Sequence, residues 1–314
     1  MKIKNIRVRF FPVLIVIFFF ACTEKKLAEH NDTGTKGTIE ISADESFKPV
    51  IAEQIAEYEA SFPGTHINAH YKSEADCLKD FFRDSLTRMV VVTRGLTREE
   101  EKYMTQAIGY SPGWDAVASD AIAIIVNIKS TDTMFSLARL QQQLTGKGRR
   151  DEMIVFDGLN KTSTVRFVED SVLKGQHFDT SVVRAVTGSS EVMDYVASHE
   201  NAVGLVGINR IGNPEDPQQV EMLKKVKIAY VQCSLCNDQP YVFPSQESIL
   251  NHRYPLVRGL YYIIKENYNG LGSAFVAFLI YERGQLIFRR AYLGPTMEFR
   301  VRNVKINEKI PSNP

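Results

Sequence analysis

The chain has 314 residues, a formal net charge of +1 and four cysteines. That length accommodates two lobes of ordinary domain size. A near-neutral balance, with no Lys/Arg-rich stripe interleaved with aromatics, argues against a nucleic-acid partner.

The N-terminus sets the compartment. Lys2, Lys4, Arg7 and Arg9 precede an apolar run, Phe10 to Phe20, that ends in Ala21-Cys22. The run is about half the ~20 residues a membrane-spanning helix needs. A charged start, a short apolar core and a small residue before the break describe a secretory signal over residues 1–21. A cysteine directly after the small residue is what lipoprotein processing requires, so Cys22 is the expected lipidation site. Phe19-Phe20 depart from the aliphatic and small residues usual upstream of such a cysteine. The expected location is the cell envelope, with the chain held to a membrane by its lipid. The leader carries four positive charges and no acid, which leaves the remainder at −3. Residues 22–37 are polar, without periodicity, and read as a tether.

Strand and helix signals then alternate. Thr38 to Ser42 alternates like a strand, and Ile51, Ile55, Tyr58 and Phe62 form a helical stripe with Pro49 suited to its first turn. His66 to Tyr71 reads as a strand and Ser73 to Phe82 as a helix capped by Ser73. Met89 to Val92 is a short apolar run typical of a strand buried on both faces. Thr97-Arg98-Glu99-Glu100 is a capping box. Beyond residue 115, strands are expected at 120–126, 153–156, 202–206 and 226–231. Helices are expected at 135–144, 164–173 (stopped by Gly175) and 190–197. This order implies an α/β fold with parallel or mixed sheets covered by helices on both faces.

The informative chemistry lies at four strand-to-helix turns. Ser46-Phe47-Lys48-Pro49, Lys72-Ser73-Glu74, Thr93-Arg94 and Thr162-Ser163-Thr164 each place hydroxyls near a helix start, and Arg166 falls in the first turn of the last helix. Orphan N–H groups and the positive dipole end accumulate at such starts and can hold a tetrahedral oxyanion without metal. Ser and Thr are also the favoured N-caps, so any one turn taken alone reads as structural. Four of them in one exported chain point to an anion site.

Other chemistries find less support. Without Cys22, Cys77, Cys233 and Cys236 remain, an odd number that argues against a disulfide framework. Cys233-Ser234-Leu235-Cys236 has redox spacing but follows a strand instead of opening a helix. It reads as a local disulfide or as idle thiols. His66 and His70 share a strand face without a third ligand, so no metal is expected. Gly270-Leu271-Gly272-Ser273 lacks the third glycine of a dinucleotide loop and reads as a helix entry. No catalytic constellation is evident and no cofactor is expected.

With those residues in view, the chain from 38 to 301 resembles the phosphate-binding proteins of bacterial phosphate ABC importers. Ser46-Phe47-Lys48-Pro49-Val50 is similar to that family's first phosphate loop, and Lys72-Ser73-Glu74 stands where it has a Gly-Ser-Gly turn. Thr93-Arg94-Gly95-Leu96-Thr97 resembles its Ser-Arg-Pro-Leu-Thr segment, and Thr162-Ser163-Thr164 its Ser-Gly-Thr signature. Arg253-Tyr254-Pro255-Leu256 and Gly284-Gln285-Leu286-Ile287 resemble its Tyr-Pro-Leu and Gly-Gln segments.

The resemblance implies the type II periplasmic binding fold, two α/β lobes with mixed sheets joined by two hinge crossings. Lobe 1 would comprise 38–119 plus 242–304 and lobe 2 120–241, with a tail at 305–314. It further implies a non-enzymatic protein that binds phosphate or a related oxyanion between the lobes and delivers it to an ABC permease. The expected ligand residues are Ser46, Phe47, Ser73, Thr93, Arg94, Thr162, Ser163, Thr164 and Arg166. The alternative is a lipid-anchored sensing or scaffold module of the same fold. Two departures bear on the ligand: Arg88 stands where the family is expected to carry its proton-accepting Asp, and no arginine occurs from Asp157 to Lys161. Without that acceptor, discrimination against sulfate should be weak unless Glu45, Glu74 or Asp157 points into the cleft.

Overall fold

A computed structural model describes residues 32–158 and 162–299, so Cys22, the leader and the C-terminal tail lie outside the described residues. Strand β1 (Lys36–Asp44) buries Ile39, Ile41 and Ala43 and leads through a 3-10 turn (Glu45–Phe47) into helix α1 (Lys48–Ser61). Pro49 sits in the first turn of α1, and Ile51, Ile55 and Tyr58 form its buried stripe. Next come β2 (Gly64–Lys72), α2 (Glu74–Arg83), β3 (Thr87–Val92) and α3 (Arg98–Ile108). The capping box is present: Thr97 Oγ1 accepts from Glu100 N, and the Glu100 carboxylate accepts from Thr97 N. On β3, Met89 and Val91 join the main core, while Val90 and Val92 pack with Cys77, Leu78, Phe81 and Met104 under α2 and α3. A strand covered on both faces needs such an unbroken apolar run.

Strand β4 (Gly113–Asn127) is the spine of the molecule. After it come β5 (Met134–Phe135), α4 (Leu137–Leu144) and β6 (Met153–Phe156). Helix α5 (Ser163–Val168) runs on as a π turn to Leu173 and ends where Lys174 and Gly175 adopt left-handed backbone. The chain continues through β7 (Val183–Ala185), α6 (Gly188–Ser198), β8 (Ala202–Gly207), a 3-10 turn (Ile208–Arg210), α7 (Pro217–Met222), β9 (Val226–Ile228) and β10 (Tyr230–Gln232). It closes with β11 (Tyr241–Val242), α8 (Gln246–Leu250), β12 (Val257–Ile264), α9 (Leu271–Ile280), α10 (Glu282–Arg290) and β13 (Gly294–Pro295). Gly270 is the N-cap of α9, the helix entry its sequence suggested.

The main sheet has the order β2-β1-β3-β12-β4-β8-β6-β7, with β9 and β13 also on β4, and β11-β10-β5 form a small second sheet. It is mixed: β1, β2 and β3 run parallel, β12 antiparallel to β3 and β4, and β8 antiparallel to β4 but parallel to β6. Up to Ala121, β4 pairs with β12; from Ile122 onward it pairs with β8. Two of the late motif segments brace this change of partner. Tyr254 Oη donates to Ile122 O at 2.9 Å. Buried Gln285 donates to Val117 O at 2.8 Å and to Leu279 O at 2.7 Å while accepting from Thr296 N at 2.7 Å. Both therefore do structural work beside β4. Cys233 and Cys236 are joined in a disulfide across the turn after β10, and Cys77 is a buried free thiol.

Candidate functional site

The carboxyl ends of β1, β3, β6 and β8 converge where β4 changes partner, the place where open α/β sheets offer a crevice. Asp44 ends β1 and Ser46-Phe47 follow it; Asp157 follows β6, and Thr162 caps α5. Asp120 on β4 faces Arg258 on β12 as its register partner. Arg258 is the centre of the group and escaped the sequence reading. Its Nε donates to Asp120 Oδ2 at 2.8 Å, its Nη1 donates to Ser163 Oγ at 2.9 Å, and its guanidinium lies 5.3 Å from the Phe47 ring centre. Its side chain is 1% exposed and that of Asp120 0%, so the pair is fully withdrawn from water.

Several polar atoms here make no hydrogen bond among the described residues: Ser46 Oγ, Thr164 Oγ1, Arg258 Nη2, Asp44 Oδ2, Asp120 Oδ1 and Asp157 Oδ1. Buried polar groups are nearly always paired, so a cluster of orphans marks a site lacking a partner from outside the chain. The electrostatics are unusual as well. Three carboxyl groups surround one guanidinium, and burial pushes Asp44 and Asp120 above the ordinary carboxylate range while Arg258 pulls both the other way. Asp157 rises to about 6, through burial and then the nearby charge of Asp44. Burial also works against the charge on Arg258, but Asp120 and Asp44 keep its pKa above the usual value.

A second group lies beside the first. Glu74, buried in the first turn of α2, accepts from Thr93 N at 2.8 Å and from Thr93 Oγ1 at 2.5 Å. Arg166 reaches across from α5, its Nε donating to Glu74 and its Nη2 to Thr93 Oγ1 at 2.9 Å. Burial would raise the pKa of Glu74, but the hydrogen bond and charge of Arg166, with the donors of Thr93, hold it below the ordinary range. The ion pair lies at the edge of a cavity of about 780 Å³ whose lining includes Arg94, Phe82 and Tyr103.

The expected site residues thus sort into three sets. Phe47 and Ser163 meet Arg258, with Ser46, Thr162 and Thr164 next to them in sequence and Thr162 Oγ1 accepting from Val165 N as the cap of α5. Thr93 and Arg166 belong to the Glu74 group. Ser73 and Arg94 are otherwise occupied: Ser73 caps α2 through Asp76, and both terminal nitrogens of Arg94 donate to Glu100 at 2.7 Å. The capping glutamate that starts α3 therefore also neutralises Arg94.

The expectation attached to Arg88 is corrected. Arg88 stands near the start of β3 and Thr93 just past its end, so about 16 Å of strand separates them. Its guanidinium meets Tyr268 and lies 3.6 Å from Asp32 and 3.7 Å from Glu266, outside the site. It replaces no carboxylate there. Of the three acceptors weighed, Glu45 is exposed, Glu74 is taken by Arg166 and Asp157 is buried among the unpaired groups. Among the described residues no cluster of His, Cys, Asp and Glu is arranged to hold a metal ion.

Comparison with known proteins places this geometry in context. The model of the PBP superfamily domain matches residues 28–283. Among solved structures, one from Clostridium perfringens, described as a candidate phosphate ABC transporter substrate-binding protein with bound phosphate, superposes with a TM-score of 0.68 at 19% identity. The match covers 83% of this chain and 100% of that one. An ABC-type phosphate transport receptor from Vibrio cholerae gives 0.61 at 16% identity, over 82% and 100% of the two chains. PstS from Borrelia burgdorferi gives 0.54 at 16% identity, over 83% and 99%. At these identities the likeness establishes the fold. No match was found among curated proteins.

Proposed function

We propose that this chain, which belongs to the PBP superfamily, captures phosphate or a related tetrahedral oxyanion at the Arg258 cluster and passes it to an ABC permease. The reading rests on one observation: Ser46 Oγ, Thr164 Oγ1 and Arg258 Nη2 are buried donors without acceptors among the described residues, Ser46 just past the carboxyl end of β1, Thr164 at the start of α5 and Arg258 at the start of β12. A tetrahedral anion presents several acceptor oxygens to such donors, and hydrogen bonds to a charged group are the strong kind. The surplus of acid suits a ligand that carries a proton. Monobasic phosphate can donate to a buried carboxylate, whereas sulfate has no proton to offer. Phosphate ABC transport proteins among the structures of like fold support the same ligand class.

In this reading the Ser46 and Ser163 turns belong to opposite lobes, and the Glu74–Arg166 pair bridges them when the cleft is shut. Cys22 anchors the protein to a membrane of the cell envelope, with residues 22–37 as tether. Titration calorimetry of the full chain in mild detergent against phosphate, sulfate and other small anions tests the assignment. Saturable one-to-one binding of phosphate is expected; heat from none of the anions contradicts it.

A further inference from the structure

Directly after β8, the 3-10 turn Ile208–Arg210 carries an asparagine with no local reason to be buried. Asn209 is 5% exposed; its amide nitrogen faces the Asp120 carboxyl, and its amide oxygen has no hydrogen-bond donor among the described residues. Its backbone is held firmly: Gln219 Nε2 donates to Asn209 O at 3.0 Å, while Gln219 Oε1 accepts from Asn213 N at 2.8 Å. The side chain is thereby presented in one place. A Cβ built on Gly207 would lie 3.0 Å from Asn209 Nδ2 and 3.5 Å from Arg258 Nη2, so the amide borders the Arg258 cluster. On its other side Asn209 lines a cavity of about 340 Å³ between the start of α1 and α6, with Pro49, Met193, Arg210 and Met222 in the walls and Ser190 at the rim. Arg210 has no ion pair among the described residues; burial holds its pKa below the usual value, opposed in part by the charges of Asp157, Asp216 and Glu45.

We propose that this cavity extends the anion site and receives the hydroxylated body of a small phosphate ester, whose phosphate occupies the Arg258 cluster. The inference rests on the function proposed above and narrows its ligand class. An inorganic phosphate whose proton goes to a buried carboxylate of the Arg258 cluster offers Asn209 only acceptor oxygens, which leave the amide oxygen without a donor. A hydroxyl both donates and accepts, and so can satisfy an amide from either side. The cavity is at the lower end of the roughly 300–1,000 Å³ usual for ligand pockets, which suits a body the size of glycerol. Met193, Met222 and Pro49 supply apolar wall for its carbon atoms.

The test is calorimetry of the full chain in mild detergent with inorganic phosphate, glycerol 3-phosphate and glycerol. Glycerol 3-phosphate is expected to bind at least about tenfold more tightly than phosphate, and glycerol alone not to bind. Ser190→Trp, on the exposed rim, should lower affinity for the ester by about tenfold or more and leave that for phosphate unchanged. Asn209→Leu should bring the two ligands within about threefold of each other. Phosphate binding as tightly as or more tightly than the ester in the parent chain overturns this inference and leaves the proposed function standing. An ester preference that survives Ser190→Trp also overturns it. Binding of neither phosphate nor the ester overturns both.

Discussion

Arg258 donates to the hydroxyl of Ser163 at 2.9 Å, across 95 positions of sequence, while its Nε holds Asp120. Strand β12, which lies between β3 and β4, thus positions the helix start on which the proposed anion site depends. Arg258→Leu should cost about 3–5 kcal/mol in urea denaturation, because it strands a buried partner. Adding Asp120→Leu should recover most of that loss, since a well-packed apolar pair is often no worse than a buried ion pair. A single-variant loss under about 1 kcal/mol would show that the pair does not organise the core.

Asp157 makes stability depend on pH in a defined direction. Its pKa is about 6 in the folded chain against an unfolded value of about 3.9. The folded state therefore holds the proton more tightly, and the stability linked to this group is complete below about pH 3.9 and lost as pH rises through about 6. Asp157→Asn removes that slope. The variant should gain on the parent between pH 4 and 7 by roughly 2–3 kcal/mol, measured by denaturant midpoints across pH. A difference that stays flat over this range would mean that Asp157 titrates normally.

Ligand choice follows from where the carboxyl groups lie. With Arg88 far along β3 and Asp44, Asp120 and Asp157 clustered around Arg258, sulfate would face carboxylate lone pairs without a proton between them. Phosphate should be preferred by a factor of about 100 or more in competition binding at neutral pH, equivalent to about 3 kcal/mol. Asp157→Asn combined with Asp44→Asn should erode the preference. Equal binding of the two anions by the parent chain would refute the argument.

The alternation of strands and helices was legible because it rests on local rules: apolar periodicity in α1, a continuous apolar run in β3, and a capping box before α3. The turns at Ser46 and Thr162–Thr164 were legible for the same reason, since hydroxyls at helix starts leave a local mark. Arg258 was not. It is one charge in the apolar strand Val257–Ile264, and its meaning comes from register with Asp120, 138 positions away. A lone arginine in such a strand is itself a signal, because an unpaired buried charge is very costly. Arg94 misled in the opposite sense, since its partner Glu100 was visible as a capping residue and its second role was not. Arg88 misled because linear order suggested that it lay near Thr93, although β3 separates the two.

The anchor is tested through Cys22. Cys22→Ser should abolish incorporation of labelled fatty acid and leave an unprocessed or mislocalised precursor. Equal labelling of variant and parent would remove the lipoprotein assignment.

The most direct test of the central claim uses two buried hydroxyls that make no hydrogen bond among the described residues. Among the described residues Ser46 Oγ and Thr164 Oγ1 are buried without hydrogen bonds, so Ser46→Ala with Thr164→Val removes no hydrogen bond seen there and should leave stability unchanged or slightly raised. If both donate to a bound anion, the double variant forfeits two charge-assisted bonds at roughly 1.5–3 kcal/mol each. Calorimetric titration with phosphate should then show affinity lowered by about a hundredfold or more in a chain that melts like the parent. Unchanged phosphate affinity in that folded variant would contradict the account.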